Sequence, residues 1–216
     1  MNGNLTEIVF ILDRSGSMEG FERDTIGGFN SMIEKQKKEK GSAVVSTVLF
    51  DDSCAVIHDR QDINSIRPLT GEDYFVRGCT ALFDAVGGAV HHIANVHKYA
   101  RPEDVPQKTL LVITTDGMEN ASRIYGMEDV KRMIMHQRES CGWEFIFLGA
   151  NIDAVSCAED IGIDKRRAVN YKCDRKGTQL NYESVHCAIH ELRNGNELSS
   201  EWRECIDEDY NKRTCR

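Results

Sequence analysis

An α/β doubly wound domain is the fold class that the 216 residues predict, and three observations predict it. LTEIVFIL (5–12), TLLVITT (109–115) and WEFIFLG (143–149) are apolar runs of strand length, and the first reads as a strand buried on both faces of a parallel sheet. Stretches with apolar residues at helical spacing separate them, and this alternation is the order of a doubly wound sheet. The first two runs each end at an aspartate, Asp13 and Asp116. Ligands of open parallel sheets gather beyond the carboxyl ends of the strands, where the strand order reverses.

Taken in order, the first strand is followed by a helix from Phe21 to about Lys40, with Ile26, Phe29 and Ile33 on one face and Gly41 as its stop. AVVSTVLFD (43–51) and CAVIHD (54–59), joined by a short turn, form a hairpin. DINSIRPLTGEDYFVRGC (62–79) has little periodicity. A helix begins near Thr80 and lines up Leu82, Ala85, Val86, Ala89 and Ile93. Met127, Val130 and Ile134 mark the next helix, and Asp153 is a candidate N-cap for another. A short last strand falls near RRAVNY, and Leu180, Val185, Ala188 and Leu192 give a late helix. The segment from Glu197 on forms a loose C-terminal helix. Gly27-Gly28 and Gly87-Gly88 interrupt helical patterns at a cost of roughly 1 kcal/mol each against alanine, which suggests close packing on the sheet.

Hydrophobic residues make up 40% and charged residues 29%, as in globular domains. A net charge of -8 argues against non-specific binding to nucleic acid or anionic membrane. No apolar run reaches membrane-spanning length. The eight cysteines form no C-x-x-C pair and no zinc-ribbon spacing, and no secretory leader opens the chain, so reduced thiols and a cytoplasmic setting are expected.

The chemistry is concentrated in VFILDRSGSMEG (9–20). Asp13 and Asp116 offer carboxylates to one crevice, Ser15 and Ser17 offer hydroxyls at alternate positions, and Thr80 enters from a third loop. All five donors are oxygen, which suits Mg²⁺, Mn²⁺ or Ca²⁺ and disfavours Zn²⁺. Two carboxylates only balance a divalent ion, so it retains attraction for a further carboxylate. Taken alone, DRSGS is equally a strand-end turn capping the next helix. Adding Thr80 and Asp116 favours metal.

These residues resemble the von Willebrand factor type A domain: D-x-S-x-S as DRSGS, a threonine in GCTAL and an aspartate in TTDG. That family carries a metal-ion-dependent adhesion site of this composition. The resemblance runs from about residue 5 to about 165. It implies a Rossmann-like, mostly parallel six-stranded sheet of order 3-2-1-4-5-6, with the third strand antiparallel and helices on both faces. It also implies that Ser15 and Ser17 bind metal directly, that Asp13 and Asp116 act directly or through water, and that Thr80 joins when an acidic ligand is engaged. Cys79 stands where many relatives place glycine; no ligand is lost, but loop mobility is affected. DGMEN and FLGANIDA look more like intracellular bacterial members. The expected organisation is a single domain over residues 1–195, with a tail or helix over 196–216.

The implied function is a divalent-metal-dependent protein-binding module that clasps a partner's acidic residue, accessory to a larger assembly such as an AAA+ ATPase or a bacterial stress system. The alternative is a metal-dependent, phosphatase-like hydrolase using the same acids. Aspartyl-nucleophile phosphohydrolases usually place a second acid two residues after the first, and here that position is Ser15. A third possibility is a structural metal site without a partner carboxylate. Glu119 and Asn120 either rim the site or cap a helix. His91, His92 and His97 read as surface or packing residues and Cys79 as a small packing residue. Trp143 reads as core, and Trp202 as core or as an anchor for a partner.

Overall fold

The computed structural model describes residues 2–214, with side chains from Leu5 onward, so that Cys215 lies outside the described residues. β1 (Asn2–Asp13), β2 (Ser42–Phe50), β3 (Cys54–Asp62), β4 (Pro106–Thr115), β5 (Glu144–Gly149) and β6 (Ala168–Asn170) form one sheet. Their order is β3-β2-β1-β4-β5-β6. Only β3 runs antiparallel, through the hairpin with β2. Fold class, strand order and the direction of the third strand are those the sequence and its resemblance imply.

The central strands explain the two-layer core. Side chains alternate across a strand, so Ile8, Phe10 and Leu12 face one side with Leu110, Val112, Ile146 and Leu148. Val9 and Ile11 face the other with Leu111, Ile113, Phe145 and Phe147. α1 (Glu22–Gln36) and α5 (Arg175–Arg193) cover the first side. α2 (Leu82–Tyr99), α3 (Met127–Cys141) and α4 (Ala154–Asp160) cover the second. Asp153 caps α4 as expected, accepting from the Ser156 amide.

Several boundaries differ from the sequence reading. α1 stops at Gln36, short of Lys40, because Arg193 from α5 donates to the carbonyls of Gln36, Glu39 and Gly41 and caps the frayed end. α2 starts at Leu82, after Thr80 and Ala81 have been drawn into loop contacts. β3 runs on to Asp62 through a bulge around Arg60, which takes a positive φ of 46°. One glycine of each pair packs against a ring, while a Cβ on Gly27 or Gly88 would meet nothing within 4 Å. A Cβ on Gly28 would stand 2.2 Å from the Tyr182 ring, and one on Gly87 would stand 2.6 Å from the Tyr125 ring. The C-terminal helix α6 (Glu204–Thr214) lies on α5, with Trp202 and Ile206 buried in the same core layer. Trp202 is therefore a core residue. Among the described residues no helix is long and apolar enough to cross a membrane.

Candidate metal centre

β1 and β4 are neighbours at the centre of the sheet, so their carboxyl ends open into one crevice. Asp13 is the last residue of β1, and Asp116 follows the last residue of β4. The loop after β1 turns at once into a single 3-10 turn, Gly16–Met18, which sets Ser15 and Ser17 side by side with their hydroxyls 3.1 Å apart. The Ser17 hydroxyl donates to Asp116 Oδ1 at 2.5 Å. The Thr80 hydroxyl donates to Ser15 Oγ at 3.0 Å. All five residues singled out from the sequence thus meet at one point. Asp13, Ser15, Thr80 and Asp116 are buried, while Ser17 is exposed and marks the open side.

Asp13 is the most constrained of the five. One carboxylate oxygen accepts from the Ser15 amide at 2.7 Å and the other from the Thr115 hydroxyl at 2.6 Å. The Tyr74 hydroxyl donates to its carbonyl. Burial raises the Asp13 carboxyl above its ordinary range; the Thr115 and Ser15 hydrogen bonds oppose this, and the charge of Asp116 adds to it. Burial also raises Asp116, against the Ser17 hydrogen bond. Two buried carboxylates sharing a crevice are costly unless a cation compensates them.

Space and donor chemistry both fit a small hard ion. A Cβ on Gly117 would stand 2.7 Å from Thr80 Oγ1, 3.1 Å from Ser17 Oγ and 3.7 Å from Ser15 Oγ. Three hydroxyls therefore converge beside a position that only glycine leaves open. The set is two carboxylates with hydroxyls, the chemistry of Mg²⁺, Mn²⁺ and Ca²⁺. Among the described residues no three His, Cys, Asp or Glu side chains gather as a metal cluster. The Cys173 sulfur lies 4.0 Å from Asp116 Oδ2.

The loops are braced from beneath by residues the sequence reading missed. Asp51 is fully buried and accepts from Arg14 Nε at 2.9 Å and Arg77 Nε at 2.7 Å. Arg14 precedes Ser15 and Arg77 lies near Thr80, so one carboxylate ties the Ser15 and Thr80 loops together. The Gly16 amide donates to the Gly78 carbonyl and the Ala81 amide to the Asp51 carbonyl. Phe75 stacks against both guanidinium groups, 5.1 and 5.3 Å from its ring centre. Thr115 was legible as the residue before the strand-end acid. Tyr74 and Arg77 lie in the aperiodic stretch and carry no local signal.

Glu119 is a capping residue. Its carboxylate accepts from the Phe83 amide at the start of α2 and from the amides of Ala121 and Ser122. The histidines lie elsewhere: His97 pairs with the buried Glu7 at 2.5 Å and His92 with Asp59 at 2.9 Å. Trp143 is core, edge-on to His97. Cys79 is exposed, and it and the other six described cysteines are unpaired.

The geometry defines a class first: a doubly wound α/β domain with an oxygen-donor rim at its topological switch point. No family model and no curated protein matches the sequence. Solved structures match in fold. Proximal thread matrix protein 1 of the mussel byssus superposes over 85% of this chain with TM-score 0.57 and 15% identity. The PilB minor pilin of Streptococcus sanguinis does so over 91% with TM-score 0.62 and 12% identity. A von Willebrand factor type A protein from Catenulispora acidiphila covers 88% with TM-score 0.55 and 13% identity. The chain spans 45%, 64% and 43% of those three chains respectively. The fold is that of the von Willebrand factor type A domain. One mussel structure, 16% identical with TM-score 0.57, has a zinc-occupied metal-ion-dependent adhesion site.

Proposed function

We propose that the rim holds a divalent cation and that the chain is a metal-dependent protein-binding module. The observation that carries this is the convergence of Asp13, Ser15, Ser17, Thr80 and Asp116 beside the open position at Gly117. Asp13 and Asp116 would balance the ion's charge, and the three hydroxyls would complete the protein's side of its shell. A bound Mg²⁺, Mn²⁺ or Ca²⁺ would supply the charge that attracts a partner's aspartate or glutamate. The exposed side over Ser17 is where that carboxylate would enter, and the exposed Met118 and half-exposed Phe75 would meet its flanking residues.

Binding is favoured over hydrolysis by the partners of the hydroxyls. Ser15, Ser17 and Thr80 bond to one another and to Asp116, and among the described residues no histidine or lysine joins them as a general base. A reducing, cytoplasmic setting accords with the irregular cysteine spacing. An accessory role in a larger assembly follows from the family resemblance alone.

The test is capture on immobilised protein. Proteins retained in millimolar Mg²⁺ are expected to elute with chelator, to be absent from an Asp13→Asn column, and to lose binding when one acidic residue of theirs is changed to its amide. Equal retention in chelator, or on the Asp13→Asn column, contradicts the assignment.

A further inference from the structure

Thr80 is the one proposed ligand that comes from neither β1 nor β4, so something must hold its loop in register with the two acids. Asn120 does so from the far side. The Thr80 amide donates to Asn120 Oδ1 at 2.9 Å, and the Asn120 amide donates to the Thr80 carbonyl at 3.0 Å. Both backbone polar groups of Thr80 are thereby taken by a single residue four positions after Asp116. The neighbouring contacts reinforce the join. Glu119 accepts from the Phe83 amide at 2.8 Å, and Ser122 Oγ accepts from the Asp84 amide at 3.0 Å. On the other flank the Ala81 amide donates to the Asp51 carbonyl at 2.8 Å.

We propose that Asn120 is a positioning residue that fixes Thr80 at the metal rim, so that the chain itself sets the threonine loop in place and an acidic partner does not have to draw it in. The inference rests on the assignment of the rim as a divalent-cation site. Every group in the clasp belongs to this chain, so neither ion nor partner is needed to close it. Asn120 is exposed, and its side chain is bonded to Thr80 and not to the core, so its removal leaves the two core layers intact. The consequence is a rim organised in advance, in which ordering the loop adds no cost when a ligand binds. This differs from the expectation, drawn from the family resemblance, that Thr80 engages only with its ligand.

The test uses Asn120→Ala and Asn120→Asp, the second of which keeps an acceptor oxygen for the Thr80 amide. Hydrogen exchange is measured in chelator, and Mn²⁺ is titrated separately. In Asn120→Ala the Thr80 amide is expected to exchange at least about tenfold faster than in the wild type. Its Mn²⁺ affinity is expected to fall by roughly three- to tenfold, the loss of one useful hydrogen bond. Asn120→Asp is expected to keep the protection and not to weaken Mn²⁺ binding. Unchanged exchange at Thr80 in Asn120→Ala, or faster exchange with unchanged Mn²⁺ affinity, overturns the proposal. If the wild type binds no Mn²⁺, it is the metal assignment that fails, and the exchange data alone still decide whether Asn120 holds the loop.

Discussion

Asp13→Ala is expected to weaken Mg²⁺ and Mn²⁺ binding at least about 100-fold, about 2.8 kcal/mol at 1.4 kcal/mol per decade, while the domain stays folded. The loss should be large because Asp13 is one of only two carboxylates proposed to balance the ion, and alanine supplies no oxygen donor in its place. The fold survives because the loss is local: the Ser15 amide loses its acceptor, but the Asp13 side chain belongs to neither core layer. Thr115 Oγ1 keeps the Gly117 carbonyl at 3.1 Å, and the repulsion between Asp13 and Asp116 disappears. Calorimetric titration reads the affinity, and melting in chelator reads the fold. Unchanged affinity in the variant removes Asp13 from the site.

The largest expected loss of stability comes from a residue outside the ligand set. Asp51→Ala leaves the Arg14 side chain, 4% exposed, without its carboxylate partner. Breaking a buried pair from one side costs about 3–5 kcal/mol, which for a domain of this size lowers the melting temperature by on the order of 10 °C. Arg77 and Ser53 lose their acceptor at the same time. Because Asp51 ties the loops of Ser15 and Thr80, metal affinity should fall with stability. The pH dependence has a definite sign. Burial alone would raise the Asp51 carboxyl, but donation from Arg77 and Ser53 outweighs it and holds the group well below the ordinary carboxylate range. A depressed folded value means that its stabilisation is fully present above the unfolded value of about 3.9. It is lost as pH falls from there through the folded value. Denaturant midpoints of the wild type and Asp51→Asn should therefore differ at neutral pH and converge in acid. A gap that widens in acid contradicts this.

How legible the molecule was depends on whether a contact is local. β1 and β4 carry apolar runs that only a strand buried on both faces explains, and each ends in an acid, so the central strands and the two carboxylates could be found by inspection. Ser15 and Ser17 follow from alternate spacing around Gly16. Thr80 stood out because it opens a helical pattern. The braces did not stand out. Asp51, Arg77 and Tyr74 act across tens of residues, from a turn and an aperiodic stretch where no period marks a side chain's direction. The end of α1 carries no local signal for the same reason, because Arg193 decides it from the other end of the chain. The sequence leaves Trp202 open between core and surface, because only the return of α6 onto α5 buries it.

The most direct test of the central claim is water-proton relaxation during titration of the wild-type protein with Mn²⁺, followed by a glutamate-containing peptide. A cation held by Asp13, Asp116 and the three hydroxyls, with its outer side open, should keep exchangeable water and enhance relaxation. The peptide should lower that enhancement by displacing the water, and Asp13→Asn should show neither effect. No enhancement at millimolar Mn²⁺, or the same enhancement in Asp13→Asn, would contradict a metal-dependent carboxylate site at this rim.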